Sequence, residues 1–228
     1  MEERYSRNIP ALSAKDMERL RKSCVLLAGC GGLGGYVIEY LARTGIGSLI
    51  AVDGDVFSES NLNRQLLCTA GNLGVNKALA ASERVASIDP SINVIPVCES
   101  LTKENAPALM ADADIVIDAL DNIASRLVLE DAAASAGKTI VHGAVSGWDM
   151  HAMLVPPGSG LLHSLYSGIS EPAEKTILSF TPAACAAVQV SLAVRYLTGH
   201  DVPQEGSLFA GSLRELRFDS IDLTSGDE

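Results

Sequence analysis

Short apolar runs alternate along the chain with longer amphipathic segments. Continuous apolar runs are typical of strands buried on both faces, whereas amphipathic segments of ten or more residues favour helices. The runs predict strands over Cys24–Ala28, Ser48–Val52, Asn93–Val97, Ile115–Asp118 and Thr139–His142, with helices near Tyr36–Arg43, Lys77–Ile88, Lys103–Met110 and Ile123–Ala136. This alternation predicts a Rossmann-like, doubly wound α/β fold whose sheet is mostly parallel.

The C-terminal third departs from this pattern. Met150–Val155 could form a further strand, Pro182–Leu197 is predicted to be a helix, and two strand-like pieces within Ser207–Phe218 predict antiparallel strands at the C-terminal end. Residues 156–180 are rich in Gly, Ser and Pro without a clear period, which predicts a flexible crossover loop. The acidic tail, residues 219–228, is predicted to fray.

Length and composition indicate one soluble domain spanning residues 1–228. Hydrophobic residues make up 47% and charged residues 20%, as in ordinary soluble enzymes. A formal net charge of -11 makes nucleic acid an unlikely partner, because such binding needs clustered Lys and Arg. The N-terminus lacks the apolar stretch of a signal peptide, and Thr181–Val194 is short for a membrane span and contains Gln189. We therefore expect a cytoplasmic protein without a membrane partner.

The five cysteines are scattered and include no C-x-x-C pair. This spacing predicts neither a disulfide framework nor a structural zinc site, so no zinc is expected. Cys185 lies in an apolar helical stretch, where burial and inert packing are the usual outcome. His163 and His200 are too isolated in sequence to predict a metal site and are expected to be exposed loop residues.

The first predicted strand is followed by a glycine-rich segment that matches G-x-G-x-x-G at Gly29, Gly31 and Gly34. Such glycines allow a tight turn and a close approach of the backbone to phosphate, at the positive end of the next helix. Asp53 ends the second strand, where an acidic residue accepts hydrogen bonds from a ribose. These features predict nucleotide binding, and by themselves they also suit an NAD-dependent dehydrogenase.

Two cations and two carboxylates favour phosphoryl or adenylyl transfer instead. Arg64 and Lys77 follow the second strand closely, and fixed cations neutralise charge that builds on phosphates during transfer. Asp118 and Asp121 lie at the carboxyl end of the fourth strand, where open α/β sheets bind ligands. Asp121 is the better candidate to hold Mg²⁺, whereas Asp118 could either join it or cap the following turn.

Several segments in register resemble the ThiF/HesA/MoeB family, relatives of ubiquitin-activating enzymes. They are RYSR at 4–7, GCGGLGG at 29–35, TGIGSL at 44–49, VDGD at 52–55, SNLNRQ at 60–65, GVNKA at 74–78 and DALDN at 118–122. The resemblance is strong over residues 4–155 and weaker beyond them. Its specificity comes from the number of motifs and their common order.

The resemblance implies an enzyme that uses ATP and Mg²⁺ to adenylylate the C-terminal Gly-Gly carboxylate of a ubiquitin-like sulfur-carrier protein. It implies a homodimer in which Arg7 reaches the ATP site of the second subunit, since Arg4–Arg7 has no obvious place in a core. The roles that it implies within one chain are phosphate contacts from Gly29, Gly31, Gly32, Gly34, Asn61, Arg64, Gln65 and Lys77, a ribose contact from Asp53, and Mg²⁺ binding by Asp121.

One departure from the family narrows the expected chemistry. Many members carry two zinc-binding C-x-x-C pairs, and some use a cysteine in the crossover loop to form a covalent bond with the partner; residues 156–180 contain no cysteine. The reaction is therefore expected to stop at the acyl-adenylate.

Two alternative functions remain open. One is an ATP-dependent dehydratase acting on a tRNA nucleoside, which the acidic charge disfavours. The other is a non-catalytic partner subunit, which the retained Arg64, Lys77 and Asp121 disfavour.

Overall fold

The apolar runs form one eight-stranded sheet in a computed structural model that describes residues 3–171, 176–200, 202–204 and 206–223. The strands are Cys24–Ala28 (β1), Ser48–Val52 (β2), Asn93–Val97 (β3), Ile115–Asp118 (β4), Ile140–Ser146 (β5), Asp149–Val155 (β6), Ser207–Ser212 (β7) and Arg217–Asp222 (β8). The α-helices are Ala14–Lys22 (α1), Gly32–Thr44 (α2), Lys77–Ile88 (α3), Ala106–Met110 (α4), Ile123–Ala136 (α5), Leu161–Leu165 (α6) and Phe180–Thr198 (α7).

The strand order is β3-β2-β1-β4-β5-β6-β7-β8. Strands β1 to β5 run parallel to one another, and β6, β7 and β8 extend the sheet beyond β5 through antiparallel pairs. The order reverses at β1 and β4, and ligands of such sheets bind outside the carboxyl ends of the strands at this switch point. The predicted fold class is confirmed.

Both faces of the central parallel strands β1, β2 and β4 are buried. Leu27 belongs to a core with α1, α2, α3 and α7, whereas its neighbour Leu26 belongs to a second core with α4, α5 and α6. Helix α7 is long and apolar enough to suit a membrane span by length and composition alone. Here it packs against α2, β5 and β6, and its Gln189 is fully buried, as in a core helix.

Three segments differ from the sequence-based expectation. Helix α6 occupies part of the predicted crossover loop, because the buried Glu130 carboxylate accepts the N–H groups of Leu162 and His163 at 2.9 Å each. Strand β5 extends to Ser146 because it forms a hairpin with β6. The predicted fraying of the tail is wrong up to Asp222, since β8 pairs with β7; residues 172–175 and 224–228 lie outside the described residues.

The N-terminal segment has a structural role that the sequence did not reveal. It forms a 3-10 helix over Glu3–Asn8, in which the buried Tyr5 donates its hydroxyl to the Asp89 carboxylate. Arg4 and Arg21 form ion pairs with the same carboxylate at 2.7 and 3.1 Å. The expectation that Arg4–Arg7 has no place in the core is therefore wrong for Tyr5, and Asp89 attaches this segment to the domain.

Burial and hydrogen bonding shift the pKa values of this pair in opposite directions. Burial, with the Asp89 hydrogen bond, raises the pKa of Tyr5 to about 12. Burial alone would raise the pKa of Asp89, but hydrogen bonds from Ser91, Tyr5 and Arg21 together outweigh it and hold that pKa well below its usual range. The ionised carboxylate is thus stabilised in the folded state.

We expect Asp89→Asn to lower the free energy of unfolding at pH 7 by about 2 kcal/mol, because charge-assisted hydrogen bonds are lost. Because the pKa of Asp89 is lower in the folded than in the unfolded state, its carboxylate stabilises the fold at pH values above the unfolded-state pKa of about 3.9. That stabilisation is lost as the pH falls through the folded-state pKa. Urea unfolding should therefore show a smaller difference from wild type at pH 3.5 than at pH 7. Glu83→Gln, at an exposed position of α3, serves as the control. An equal difference at both pH values would contradict the assignment.

Candidate functional site

A cavity of about 830 Å³ opens at the carboxyl ends of β1 and β4. The glycine segment, the chain that follows β2, the turn after β4, the crossover segment (residues 156–179) and the last strands contribute to its walls. The predicted site residues among its lining are Gly29, Gly31, Gly32, Asp53, Arg64, Gln65, Lys77 and Asp121. The tertiary structure thus brings most of the predicted site into one cavity.

The glycine segment is pressed against the turn after β4. Gly29 has a φ of 95°, and a Cβ there would stand 2.7 Å from the backbone oxygen of Ala119. Helix α2 begins immediately afterwards, with Gly31 as its N-cap and without a side-chain capping bond. Since Gly31 and Gly32 line the cavity, the positive end of α2 faces it, as suits a bound anion.

Three predicted site residues lie away from the cavity wall. Gly34 is a packing position, because a Cβ there would stand 1.9 Å from the Gly29 oxygen, so it permits close contact between helix and loop. Asn61 caps its own turn, its side-chain oxygen accepting the Ser58 N–H at 3.0 Å. Arg7 is exposed on the N-terminal 3-10 helix and does not line the cavity of its own chain.

Asp53 and Lys77 are held in place by protein contacts. The Asp53 carboxylate accepts the N–H of Cys30 at 2.7 Å and that of Asp55 at 2.9 Å, and burial raises its pKa. The buried Lys77 donates its Nζ to Asp55 at 2.8 Å. Sequence reasoning missed Asp55, although it lies only two residues after Asp53. This carboxylate holds the Lys77 ammonium at the cavity wall.

Arg64 and Gln65 lie beside the start of α2. Arg64 donates to the Ser60 carbonyl and to Asn63, each at 2.9 Å, and its side chain lies 3.7 Å from where a Cβ of Gly32 would stand. The Gln65 side chain lies beside Gly31, and its Oε1 is buried without a hydrogen-bond partner among the described residues. A buried polar atom without a partner at a cavity wall is suited to a bound ligand.

The two carboxylates after β4 have separate surroundings. Asp118 is fully buried and caps the turn, one oxygen accepting the Leu120 N–H at 2.9 Å and the other lying 2.7 Å from Nδ1 of His142. Asp121 is exposed at the cavity wall, and its carboxylate accepts a hydrogen bond from the side-chain amide of Asn122 at 3.2 Å. Of the two, only Asp121 presents an oxygen of the kind that Mg²⁺ prefers to the cavity.

Behind this turn lies a buried network of Asp118, Arg126, His142, His151 and Tyr166. His142 Nε2 lies 3.1 Å from both His151 Nε2 and the Tyr166 hydroxyl, and Arg126 donates to that hydroxyl at 2.8 Å. Burial lowers the pKa of both histidines, that of His151 to about 3, so both are neutral at pH 7. Burial raises the pKa of Tyr166 to about 12.

Sequence reasoning missed this network. The two histidines lie on neighbouring antiparallel strands, β5 and β6, and their spacing alone did not reveal that they meet. Tyr166 comes from the segment expected to be a loop. Neither Tyr166 nor Arg126 belongs to a pattern that predicts contact between them.

The remaining histidines contact carboxylates at the surface. His163 lies 2.9 Å from Asp131 and His200 lies 2.9 Å from Asp16, with side chains 48% and 59% exposed. Their predicted exposure is confirmed, although His163 belongs to α6 rather than to a loop. Within the part of the chain that the structure describes, no group of three or more His, Cys, Asp or Glu side chains is arranged to hold a metal ion.

Comparisons with known proteins give one consistent result. The ThiF family profile matches residues 5–227. The SAMP-activating enzyme E1 of Haloferax volcanii is 33% identical, the match covering 97% of this chain and 83% of that protein. The sulfur carrier protein adenylyltransferase of Thermus thermophilus is 31% identical, over 97% and 87% of the two chains. The crystal structure of E. coli MccB with ATP shares the fold: it superimposes with a TM-score of 0.79 at 20% sequence identity, and the match covers 98% of this chain and 71% of the MccB chain.

Cys185 is expected to be inert in the native protein. Its thiol is 1% exposed, and burial raises its pKa to about 12, so almost no reactive thiolate forms at neutral pH. Treatment of the native protein with an alkylating reagent at pH 8, followed by peptide mass spectrometry, should label the exposed Cys98 within minutes and leave Cys185 unlabelled. Denaturation in urea should expose both thiols. Equal labelling rates in the native state would contradict the burial.

Proposed function

The chain belongs to the ThiF family, and we propose that it is an adenylyltransferase that uses ATP to activate the C-terminal carboxylate of a ubiquitin-like sulfur-carrier protein. The names of its relatives support both the reaction and the partner. The observation that carries the proposal is the convergence of Arg64, Gln65, Lys77 and Asp121 with the positive end of α2 in one cavity. Its volume of about 830 Å³ lies within the usual range for small-molecule sites.

Each part of the cavity wall has a role in this proposal. The start of α2, Arg64 and Lys77 bind the phosphates, and the free Gln65 oxygen accepts a hydrogen bond from the nucleotide or from its bound water. Asp53 follows the end of β2, where its carboxylate accepts a hydrogen bond from a ribose hydroxyl. Asp121 would hold Mg²⁺, which supplies positive charge to the phosphate oxygens. Asn61 and Gly34 support the site through local structure.

The proposed reaction is an in-line displacement. A carboxylate oxygen of the carrier attacks the α-phosphorus of ATP, the bond to the bridging oxygen breaks, and pyrophosphate leaves. The acyl-adenylate keeps the AMP. No side-chain nucleophile is required, so the protein contributes positioning and fixed positive charge.

The reaction is proposed to end at the acyl-adenylate. Covalent transfer to the enzyme would require an accessible thiolate at the cavity, but the exposed Cys98 does not line the cavity and Cys185 is buried with a raised pKa. The activated carrier then passes to a separate sulfur donor or acceptor. A pull-down with ATP present, followed by mass spectrometry for a small protein that ends in Gly-Gly, would identify the carrier.

The protein is also proposed to be a homodimer in the cytoplasm. Arg7 does not line the cavity of its own chain, yet it is exposed on a segment attached to the domain through Asp89. Such a residue is available to a second subunit, where an arginine stabilises charge on a transferring group.

We expect Lys77→Ala and Asp121→Ala each to reduce ATP–pyrophosphate exchange with the isolated carrier about a hundred- to thousandfold. The physical reason is the loss of one fixed charge, or of its metal, at the triphosphate. Lys15→Ala and Asp112→Ala, at exposed positions away from the cavity, are the matched controls. Near-normal exchange by either folded site variant would refute its assigned role.

Mixing two inactive variants tests whether Arg7 acts in trans. An Arg7→Ala subunit paired with a Lys77→Ala subunit has one complete site if Arg7 crosses the interface. Exchange activity should then rise to about a quarter of wild type after random mixing, in which half of the dimers are mixed. A mixture of Lys77→Ala and Asp121→Ala is the control, because every site stays defective. No recovery despite mixed dimers on native mass spectrometry would show that Arg7 does not act in trans.

A further inference from the structure

We propose that Tyr166 is a positioning residue that couples the crossover segment to the turn carrying Asp121. This coupling rests on the proposed function, because Asp121 matters here as a ligand of the metal that accompanies ATP. The proposal concerns the network of Asp118, Arg126, His142, His151 and Tyr166, to which the proposed reaction assigns no step.

The network closes into a ring that includes the turn after β4. Arg126 donates one guanidinium nitrogen to the Leu120 carbonyl and another to the Tyr166 hydroxyl, each at 2.8 Å. Tyr166 contacts His142, His142 contacts Asp118, and Asp118 accepts the Leu120 N–H. Both backbone polar groups of Leu120 are therefore held by the ring. Asp121 is the next residue in the chain.

The positions of the protons define which groups of the ring donate hydrogen bonds and which accept them. Arginine only donates, so the Tyr166 hydroxyl accepts from Arg126 and directs its own proton elsewhere. His142 presents Nδ1 to the Asp118 carboxylate, so Nδ1 carries the proton of this neutral imidazole and Nε2 is an acceptor. The Tyr166 hydroxyl lies 3.1 Å from this Nε2 and 3.5 Å from Nε2 of His151, so its proton is directed toward the histidine pair. One hydroxyl links the Arg126 and His142 halves of the ring.

Tyr166 is the member of the ring that comes from the crossover segment. Tyr166 is the C-cap of α6, and this helix is anchored independently, because Glu130 accepts the N–H groups of Leu162 and His163. The hydroxyl is thus not required to keep α6 on the domain. Removing it should uncouple the crossover segment from Leu120 while leaving the fold intact.

A second contact joins the crossover segment to the other side of Asp121. The Glu171 carboxylate accepts the N–H of Ile123, at the start of α5. The crossover segment therefore holds the chain on both sides of Asp121, at Leu120 through Arg126 and at Ile123 directly. Tyr166 and Glu171 also line the cavity. A partner tail that shifts this segment would move the carboxylate that binds the metal.

The test compares ATP binding with and without Mg²⁺ by isothermal titration calorimetry. Tyr166→Phe removes only the hydroxyl, and Glu171→Ala breaks the second contact at an exposed side chain. We expect each variant to weaken ATP binding about 3- to 10-fold in Mg²⁺, the effect of one hydrogen bond, and to leave binding in EDTA unchanged. Tyr40→Phe on α2, away from the cavity, is the control and should match wild type under both conditions.

The outcomes separate the coupling from the proposed function. If wild type binds ATP and both variants match it in Mg²⁺, the coupling is wrong and the proposed function is untouched. A loss of equal size in Mg²⁺ and EDTA would also overturn the coupling, because a general structural defect does not depend on the metal. If wild type itself does not bind ATP, the proposed function fails and the coupling fails with it. Thermal unfolding of every variant confirms that it is folded.

Discussion

The close approach of two chain segments at the carboxyl ends of β1 and β4 is the constraint on which the cavity depends. Gly29 lies so near the Ala119 carbonyl that no side chain fits between them, and Gly34 lies still closer to the Gly29 carbonyl. Together these contacts place the start of α2 beside the turn that carries Asp121. A positive helix end and a carboxylate thereby face one space, which is the arrangement that a triphosphate and its metal need.

The charges of this cavity are held before a ligand arrives. Lys77 is paired with Asp55, and Asp53 is fixed by two backbone N–H groups. Fixed groups need little reorganisation when charge develops, and this is the largest contribution that such sites make to catalysis. The exposed Asp121 differs from these residues, because its carboxylate lies at the open wall.

The antiparallel end of the sheet and the crossover segment give the cavity its second half. Strand β6 brings the neutral His151 to its wall, with His142 of β5 buried behind it, and Tyr166 at the end of α6 also lines the wall. Helix α7 packs against β5 and β6 and buries Cys185.

The sequence alone determined the parallel core, the family and most of the predicted site residues that the fold brings to one cavity. It could do so because these depend on local patterns: apolar runs of strand length, glycines that only a tight turn requires, and polar residues directly after strands. The comparisons confirm the predicted family and reaction class. Tertiary structure alone decided that Asp118 caps a turn and that Asn61 and Gly34 lie off the cavity wall. It also decided that Tyr5 is buried on Asp89, and that His142, His151 and Tyr166 meet. Those contacts join residues from separate elements. A local sequence pattern does not show which side chains will meet when these elements pack.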